Sequence, residues 1–274
     1  MITADSIIHA QLEVSDCTAE LWLNDIPLMR IDTSPGRIPI ENIAVMQYLV
    51  PGTNLLEIVV EPGSTPSVAR TERHELPLKK MSAIGRLIRF QEGASGLVAE
   101  GDLLAEVRFQ WDNTSLDKRR FFPQGSGMQV EMGAAFGLWN WQKAPALVPG
   151  EALFAEARGV LDEVEGALRA FDESRLWELT ELQLRDVLRA HPVLTEPGLR
   201  SELAAKLAQI KTDTSPVVAR DPARHDFRIV GGGKLLECMD KDWTTSFKVR
   251  SPRGNALPYR MMLARIDNRL RIVR

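Results

Sequence analysis

Residues 19–31 read Ala19-Glu20-Leu21-Trp22-Leu23-Asn24-Asp25-Ile26-Pro27-Leu28-Met29-Arg30-Ile31. Two apolar runs flank Asn24-Asp25. Asparagine and aspartate tolerate positive φ, so a two-residue turn joining antiparallel strands is expected at 24–25. Pro27 has no N–H to give to a ladder, which puts the second strand at a sheet edge. A second run, Tyr48-Leu49-Val50-Pro51-Gly52-Thr53-Asn54-Leu55-Leu56-Glu57-Ile58-Val59-Val60, carries Pro51-Gly52 where a type II turn wants them and continues as a strand. Working outward, residues 7–14 have a period of two, with Ile8, Ala10, Leu12 and Val14 on one face. Further strands are expected over Ser82–Phe90, Leu103–Trp111 and Met128–Phe136, the last two separated by a basic loop, Lys118-Arg119-Arg120. About seven strands are enough for two antiparallel sheets face to face.

The stretch LWLNDIPL (21–28) followed by YLVPGTNLLEIVV (48–60) resembles the strand–turn–strand pattern of galactose-binding-like and immunoglobulin-like β-sandwich modules. In those modules LNG and L-x-P-G-x-N-x-L-x-V recur; Asp25 stands where the pattern prefers glycine. The resemblance implies a sandwich and admits a carbohydrate ligand.

Residues 142–150 hold two prolines and a glycine just before the hydrophobic period changes, so domains are expected at 1–145 and 150–274. Beyond this segment, Leu153, Ala157, Val160, Leu161, Val164, Ala167, Leu168 and Phe171 trace one face of a helix. Asp172 is positioned to cap a second helix carrying Leu176, Leu179, Leu184, Val187 and Leu188, which His191-Pro192 stops. Thr195 is positioned to cap a third, with Leu199, Leu203, Leu207 and Ile210. Short strands then follow over 227–230, 235–239, 246–249, 259–266 and 270–273, with turns at Gly231-Gly232-Gly233 and Asp267-Asn268. The expected fold class is therefore α+β: an N-terminal antiparallel β-sandwich, then a helical segment packed on a C-terminal antiparallel sheet. The order of elements over 151–274, closing on LARIDNRLRIVR (263–274), resembles the helix-then-curved-sheet cone of the nuclear transport factor two-like superfamily. That resemblance implies a cavity in which an enzyme could place its chemistry. The chain has no strand between the helices, where such folds usually insert one.

Composition narrows the function. Hydrophobic residues at 44% and charged residues at 26% describe a chain able to fill packed cores. The opening residues lack the basic lead and long apolar stretch of a secretory signal, so a cytoplasmic location is expected. Cys17 and Cys238 lie far apart, and a buried thiol in each domain is expected. No zinc-ligand spacing occurs, and neither a metal nor a cofactor is expected. A net charge of −3 argues against nonspecific nucleic-acid binding, and no run is long enough to suggest a membrane segment.

Motifs of catalysis are absent. Gly231-Gly232-Gly233-Lys234 leads into strand residues, which suits a hairpin and not a phosphate cradle. His74-Glu75 has no second histidine four residues after the first, and Gly125-Ser126-Gly127 is not a nucleophile elbow. His225, Asp226, Cys238, Asp240 and Asp242 fall near hairpin ends. His225 and Asp226 are neighbours and would point to opposite faces of a strand, so a turn or surface role is expected and no catalytic residue is assigned. Trp139 and Trp141, if extended, share a side, as in a sugar-stacking or peptide-gripping patch; interdomain packing explains the same pattern.

What stands out is charge asymmetry. Residues 151–186 hold ten acidic side chains against four arginines, whereas residues 248–274 hold eight basic side chains and one acid. Solvated faces or a docking surface would both produce it. The expectation drawn is a non-enzymatic, cytoplasmic protein that binds another protein, by analogy with bacterial immunity proteins that neutralise toxins of contact-dependent or type VI secretion systems. Its interface is expected on Asp162, Glu163, Glu165, Asp172, Glu173, Glu178 and Glu181, facing a basic toxin domain. The basic strand residues Arg265, Arg269 and Arg271 are the competing surface. An enzyme using the cone and a carbohydrate-binding sandwich are the alternatives.

Overall fold

The structure, a computed structural model, describes residues 6–33, 38–77, 79–91, 101–111, 119–133, 137–211, 217–250 and 256–274. The chain divides into two compact units: Met1–Ser64 with Val68–Leu138, and Thr65–Ser67 with Trp139–Arg274. The main division falls between Leu138 and Trp139, a few residues before the proline-containing segment at which the period changes.

Ten strands build the first unit among the described residues: β1 (Ser6–Ser15), β2 (Thr18–Leu23), β3 (Ile26–Asp32), β4 (Ile40–Ala44), β5 (Gly52–Val60), β6 (His74–Pro77), β7 (Met81–Gln91), β8 (Asp102–Trp111), β9 (Arg119–Phe122) and β10 (Gln124–Met132). They form two four-stranded antiparallel sheets, ordered β4-β1-β7-β8 and β10-β5-β2-β3, plus a β6-β9 ribbon. The period-two face of β1 is the core face, with Ile8, Ala10, Leu12 and Val14 fully buried. Asn24 and Asp25 take φ of 55° and 61°, both left-handed, as a type I′ turn requires, and Leu23 pairs with Ile26. β3, which carries Pro27, lies at its sheet's edge. Gly52 has φ of 85°, the value the third residue of a type II turn needs.

The run after the Pro51-Gly52 turn is a strand as expected, β5 starting at Gly52, and Met46–Tyr48 ahead of it form a 3₁₀ turn. Two expectations are corrected here. The strand placed at 128–136 begins earlier, at Gln124, and ends at Met132; positions 134–136 lie outside the described residues. Arg119 and Arg120, read as a loop, open β9 and pair with Pro77 and Leu76, while Lys118 lies outside the described residues. β4, β6 and β9 escaped the sequence reading because four or five residues of mixed polarity carry no readable alternation.

The two sheets approach closely at Gly85. A Cβ there would lie 2.4 Å from Leu21 Cδ1, 3.1 Å from Val107 Cγ1 and 3.3 Å from Ile58 Cγ1. Glycine at this point lets the fully buried Leu21 fill the space between sheets. Gly85→Ala should destabilise the unit by about 1–3 kcal/mol through overpacking. The cost should shrink in a Leu21→Val background, as read by denaturant titration of the four variants. Equal costs in both backgrounds would show that the two positions do not compete for space.

The second unit holds α1 (Asn140–Lys143), α2 (Glu151–Ala170), α3 (Glu173–Ala190) and α4 (Glu196–Ile210), then β11 (Arg228–Val230), β12 (Leu235–Glu237), β13 (Lys248–Arg250), β14 (Ala256–Pro258), β15 (Met262–Ile266) and β16 (Arg269–Ile272). Its main sheet is antiparallel in the order β11-β12-β15-β16, and β13-β14 form a separate ribbon. The fold is α+β, with α2 and α3 packed against each other and against β16. Leu153, Ala157, Leu161, Val164, Ala167 and Leu168 form the buried stripe of α2, meeting Phe227, Leu236, Leu263, Leu270 and Ile272 in one core. Phe171 is not the last residue of that stripe. It is left-handed at φ 52° and ends the helix, with Asp172 N–H returning to the Ala167 carbonyl. Asp172 and Thr195 cap α3 and α4 through the backbone N–H groups of Arg175 and Gly198. Asp267 and Asn268, with φ of 50° and 61°, repeat the type I′ turn between β15 and β16.

Candidate functional site

Between α2, α3 and β16 lies a groove of about 310 Å³. Its apolar lining is Val160, Leu179, Leu270 and Ile272, and its polar lining is Glu163, Arg175, Glu178, Glu181, Arg269 and Arg271. Local periodicity explains the membership. Val160 and Glu163 are three apart on α2, and Arg175, Glu178 and Leu179 are three and four apart on α3, so each set shares a helix edge. Arg269 and Arg271 are two apart on a strand and share a face. The tight Asp267-Asn268 turn returns β16 alongside β15, and Leu270 N–H on β16 donates to Glu156 Oε1 of α2 at 2.7 Å. That bond satisfies a backbone donor on the outer edge of the sheet.

The charges of the groove differ in how far they are already engaged. Arg175 donates to Glu163 at 2.6 Å and to Glu178 at 2.9 Å, bridging the two helices. Glu181 accepts from Arg185, one turn along the helix, at 2.6 Å. Arg269 and Arg271 form no ion pair among the described residues.

The seven acidic residues expected to form one face therefore divide. Glu163, Glu178 and Glu181 line the groove. Asp162 and Glu165 both pair with Arg220, and Glu165 also with Arg169 at 2.7 Å. Burial alone would raise the Glu165 carboxyl, but hydrogen bonds from Arg220 and Arg169 outweigh it and hold the group below its ordinary value. Asp172 is engaged as the α3 cap, and Glu173 sits in the first turn, where a carboxylate complements the helix dipole. The acidic helices and the basic strand, read from sequence as alternative surfaces, meet in the same groove.

The residues weighed for catalysis do not converge. Asp226 accepts from Ser67 N–H at 2.8 Å, Asp242 accepts from the Thr244 hydroxyl at 2.6 Å and pairs with Arg224, and Cys238 is a buried free thiol, as is Cys17. Only His225 and Asp240 are brought together, opposite each other in an isolated antiparallel bridge. The His225 ring meets Phe227 edge-on at 5.5 Å. Burial pushes the imidazole below its ordinary pKa and pushes the Asp240 carboxyl above its own. Both ring nitrogens, Asp240 Oδ1 and Arg220 Nη1 are buried without a hydrogen-bond partner among the described residues. This pair stands apart from the groove lining.

The tryptophan patch is corrected. Trp139 caps the short helix α1 with extended backbone while Trp141 lies inside that helix, so the two do not share a strand face, and both are buried, Trp139 completely. The guanidinium groups of Arg189 and Arg274 lie 4.3 and 5.6 Å from the Trp139 ring centroid. The same arginines pair with Asp186, at 3.1 and 2.9 Å, and Asn140 donates to it as well. Asp186 is only 2% exposed, although in the sequence it is one more acid of an acidic helix. A second buried carboxylate, Glu237 on β12, is 1% exposed and is held by Arg228 and Arg260, each at 2.7 Å. The one signal for it in sequence is its place in a strand of otherwise apolar residues, Leu235-Leu236-Glu237-Cys238-Met239.

No three His, Cys, Asp or Glu side chains gather into a metal site among the described residues, and no helix among them is long and apolar enough to cross a membrane. No protein-family model matches the chain, and no curated protein or solved structure is similar enough to it to count as a relative.

Proposed function

We propose that the chain is a non-catalytic protein-binding protein, that the groove between α2, α3 and β16 is its binding site, and that its role is to act as an immunity protein against a secreted bacterial toxin. One observation supports the binding reading above the rest. The groove sets the half-buried side chains of Val160 and Leu179, above the buried Leu270 and Ile272, among charged side chains of both signs. Apolar contact with a polar rim is the composition of specific protein interfaces. The toxin-neutralising role rests on analogy with small two-module binding proteins whose charge is unevenly distributed. The enzyme alternative is less supported, because His225 and Asp240 lie outside the groove lining.

Glu178 is 66% exposed on its side chain, so Glu178→Trp fills the groove mouth without disturbing the core. In a growth assay with co-expressed candidate toxins, the wild-type chain should relieve toxicity and bind the toxin in vitro. Glu178→Trp should bind at least about tenfold more weakly, roughly 1.4 kcal/mol or more, with an unchanged melting temperature. Undiminished binding by that variant would remove the groove from the function.

A further inference from the structure

We propose that the groove recognises an extended acidic segment of its protein partner, with Arg269 and Arg271 as the anchoring charges. This rests on the protein-binding reading and specifies the partner's chemistry. Its sign is opposite to the one that the ten acids of residues 151–186 suggest on their own.

Three observations carry it. First, the acids of the groove are engaged within the chain: Glu163 and Glu178 by Arg175, and Glu181 by Arg185. They have little field left for an incoming cation. Second, Arg269 and Arg271 are the charged lining residues with no ion pair among the described residues, so an arriving anion meets two guanidinium groups that need not first be detached from a carboxylate. Third, the two arginines lie two residues apart on a strand, about 6.7 Å along its axis, which is also the separation of alternate side chains in an extended peptide. Carboxylates at positions i and i+2 of such a peptide can each reach one guanidinium, and the planar fork of arginine suits bidentate pairing with a carboxylate.

A nucleic acid fits less well. A single strand carries a phosphate at every nucleotide, so a continuous run of negative charge would lie against Glu163, Glu178 and Glu181. A peptide can limit its charges to the two arginines, offer backbone N–H donors to the glutamates, and place apolar side chains over Val160 and Leu179.

The test uses the full chain and a fluorescein-labelled nonapeptide with three glutamates at alternate positions separated by leucines, followed by fluorescence anisotropy. Wild type should bind it, with affinity falling as salt rises from low to moderate concentration. Arg269→Glu/Arg271→Glu should weaken binding at least tenfold, and Arg269→Gln/Arg271→Gln should do the same with less perturbation of the strand. Arg108→Glu, at an exposed arginine of the first unit, should leave binding unchanged. A peptide with lysines in place of the glutamates should not bind. Failure of the acidic peptide to bind, wild-type affinity in both arginine double variants, or tighter binding of a 12-nucleotide oligothymidine than of the peptide would each overturn the proposal. The two readings separate cleanly. If toxin binding is lost in Glu178→Trp but retained in both arginine double variants, the groove is the interface and the acidic-segment proposal is wrong. If the peptide behaves as expected while toxin binding ignores Glu178→Trp, the acid site stands and the groove is removed from toxin binding.

Discussion

Replacing Asn54 with alanine should lower the stability of the first unit by about 3–4 kcal/mol, the largest loss expected from any polar substitution there. Asn54 is completely buried, and its amide is fully used. Oδ1 accepts from Val50 N–H and from the Asn24 side chain, both at 2.8 Å, and Nδ2 donates to the carbonyls of Val50 and Gly52 at 2.8 and 3.0 Å. Asn24 extends the network to the Tyr48 carbonyl and to Leu55 N–H. The β2–β3 turn and the Pro51-Gly52 turn are thus joined by two asparagines, which supplies a physical reason for LN and P-G-x-N to occur together. Alanine would strand several backbone groups of the second turn and the Asn24 amide at once. Partial access of water at Val50 keeps the total below the sum of separate penalties of roughly 1–3 kcal/mol each. Against a typical domain stability of about 5–15 kcal/mol this is a large fraction. Asn54→Asp should be no better, because a carboxylate cannot donate to the Val50 and Gly52 carbonyls and would be repelled by them. Denaturant unfolding, with hydrogen exchange of the β2 and β5 amides to localise the loss, measures it. A loss under 1 kcal/mol would mean that the turn is held by its backbone conformation alone.

Glu237→Ala should cost the second unit about 3–5 kcal/mol, because it leaves buried guanidinium charge without its counterion. The Arg228 side chain is 6% exposed and lies directly across the ladder from Glu237, while Arg260 approaches from the segment leading into β15. Desolvation alone would raise the Glu237 carboxyl, but the two arginines outweigh it and hold it below its ordinary value. The sign of the pH dependence follows. With the folded pKa below the unfolded one, near 4.3, the unfolded chain binds more protons in the window between them, so stability rises with pH there. The contribution is fully present above the unfolded value and is lost as pH falls through the folded one. Chemical denaturation from pH 7 down to pH 3 should show the decline in wild type, and Glu237→Gln should flatten it. A Glu237→Gln profile parallel to wild type across that range would show that other carboxylates carry the acid sensitivity. Both predictions concern groups whose weight comes from burial, which is also where sequence and structure diverge.

Everything set by neighbours in the chain was legible from the residues. Asn24-Asp25 and Asp267-Asn268 turn because those side chains tolerate positive φ, and Ile8, Ala10, Leu12 and Val14 face inward because a strand alternates. The apolar stripe of α2 and the caps at Asp172 and Thr195 follow from helix geometry in the same way. These features together determine an α+β chain with a β-sandwich first.

The tertiary structure alone decided which charges are spent and which are available. Asp186 and Glu237 look like other acids in the sequence, yet each is buried and held by two arginines, Asp186 by Arg189 one turn along its helix and by Arg274 at the end of the sheet, Glu237 by Arg228 across the ladder and by Arg260. Glu163, Glu178 and Glu181 read as one acidic face, but they share a groove with Arg269 and Arg271 from the end of the sheet. The reason is physical. Periodicity reports the side of its own element that a residue occupies, whereas the energy of a charge depends on its solvent exposure and on the ions within a few ångströms. Those quantities exist only once separate elements of the chain have packed together.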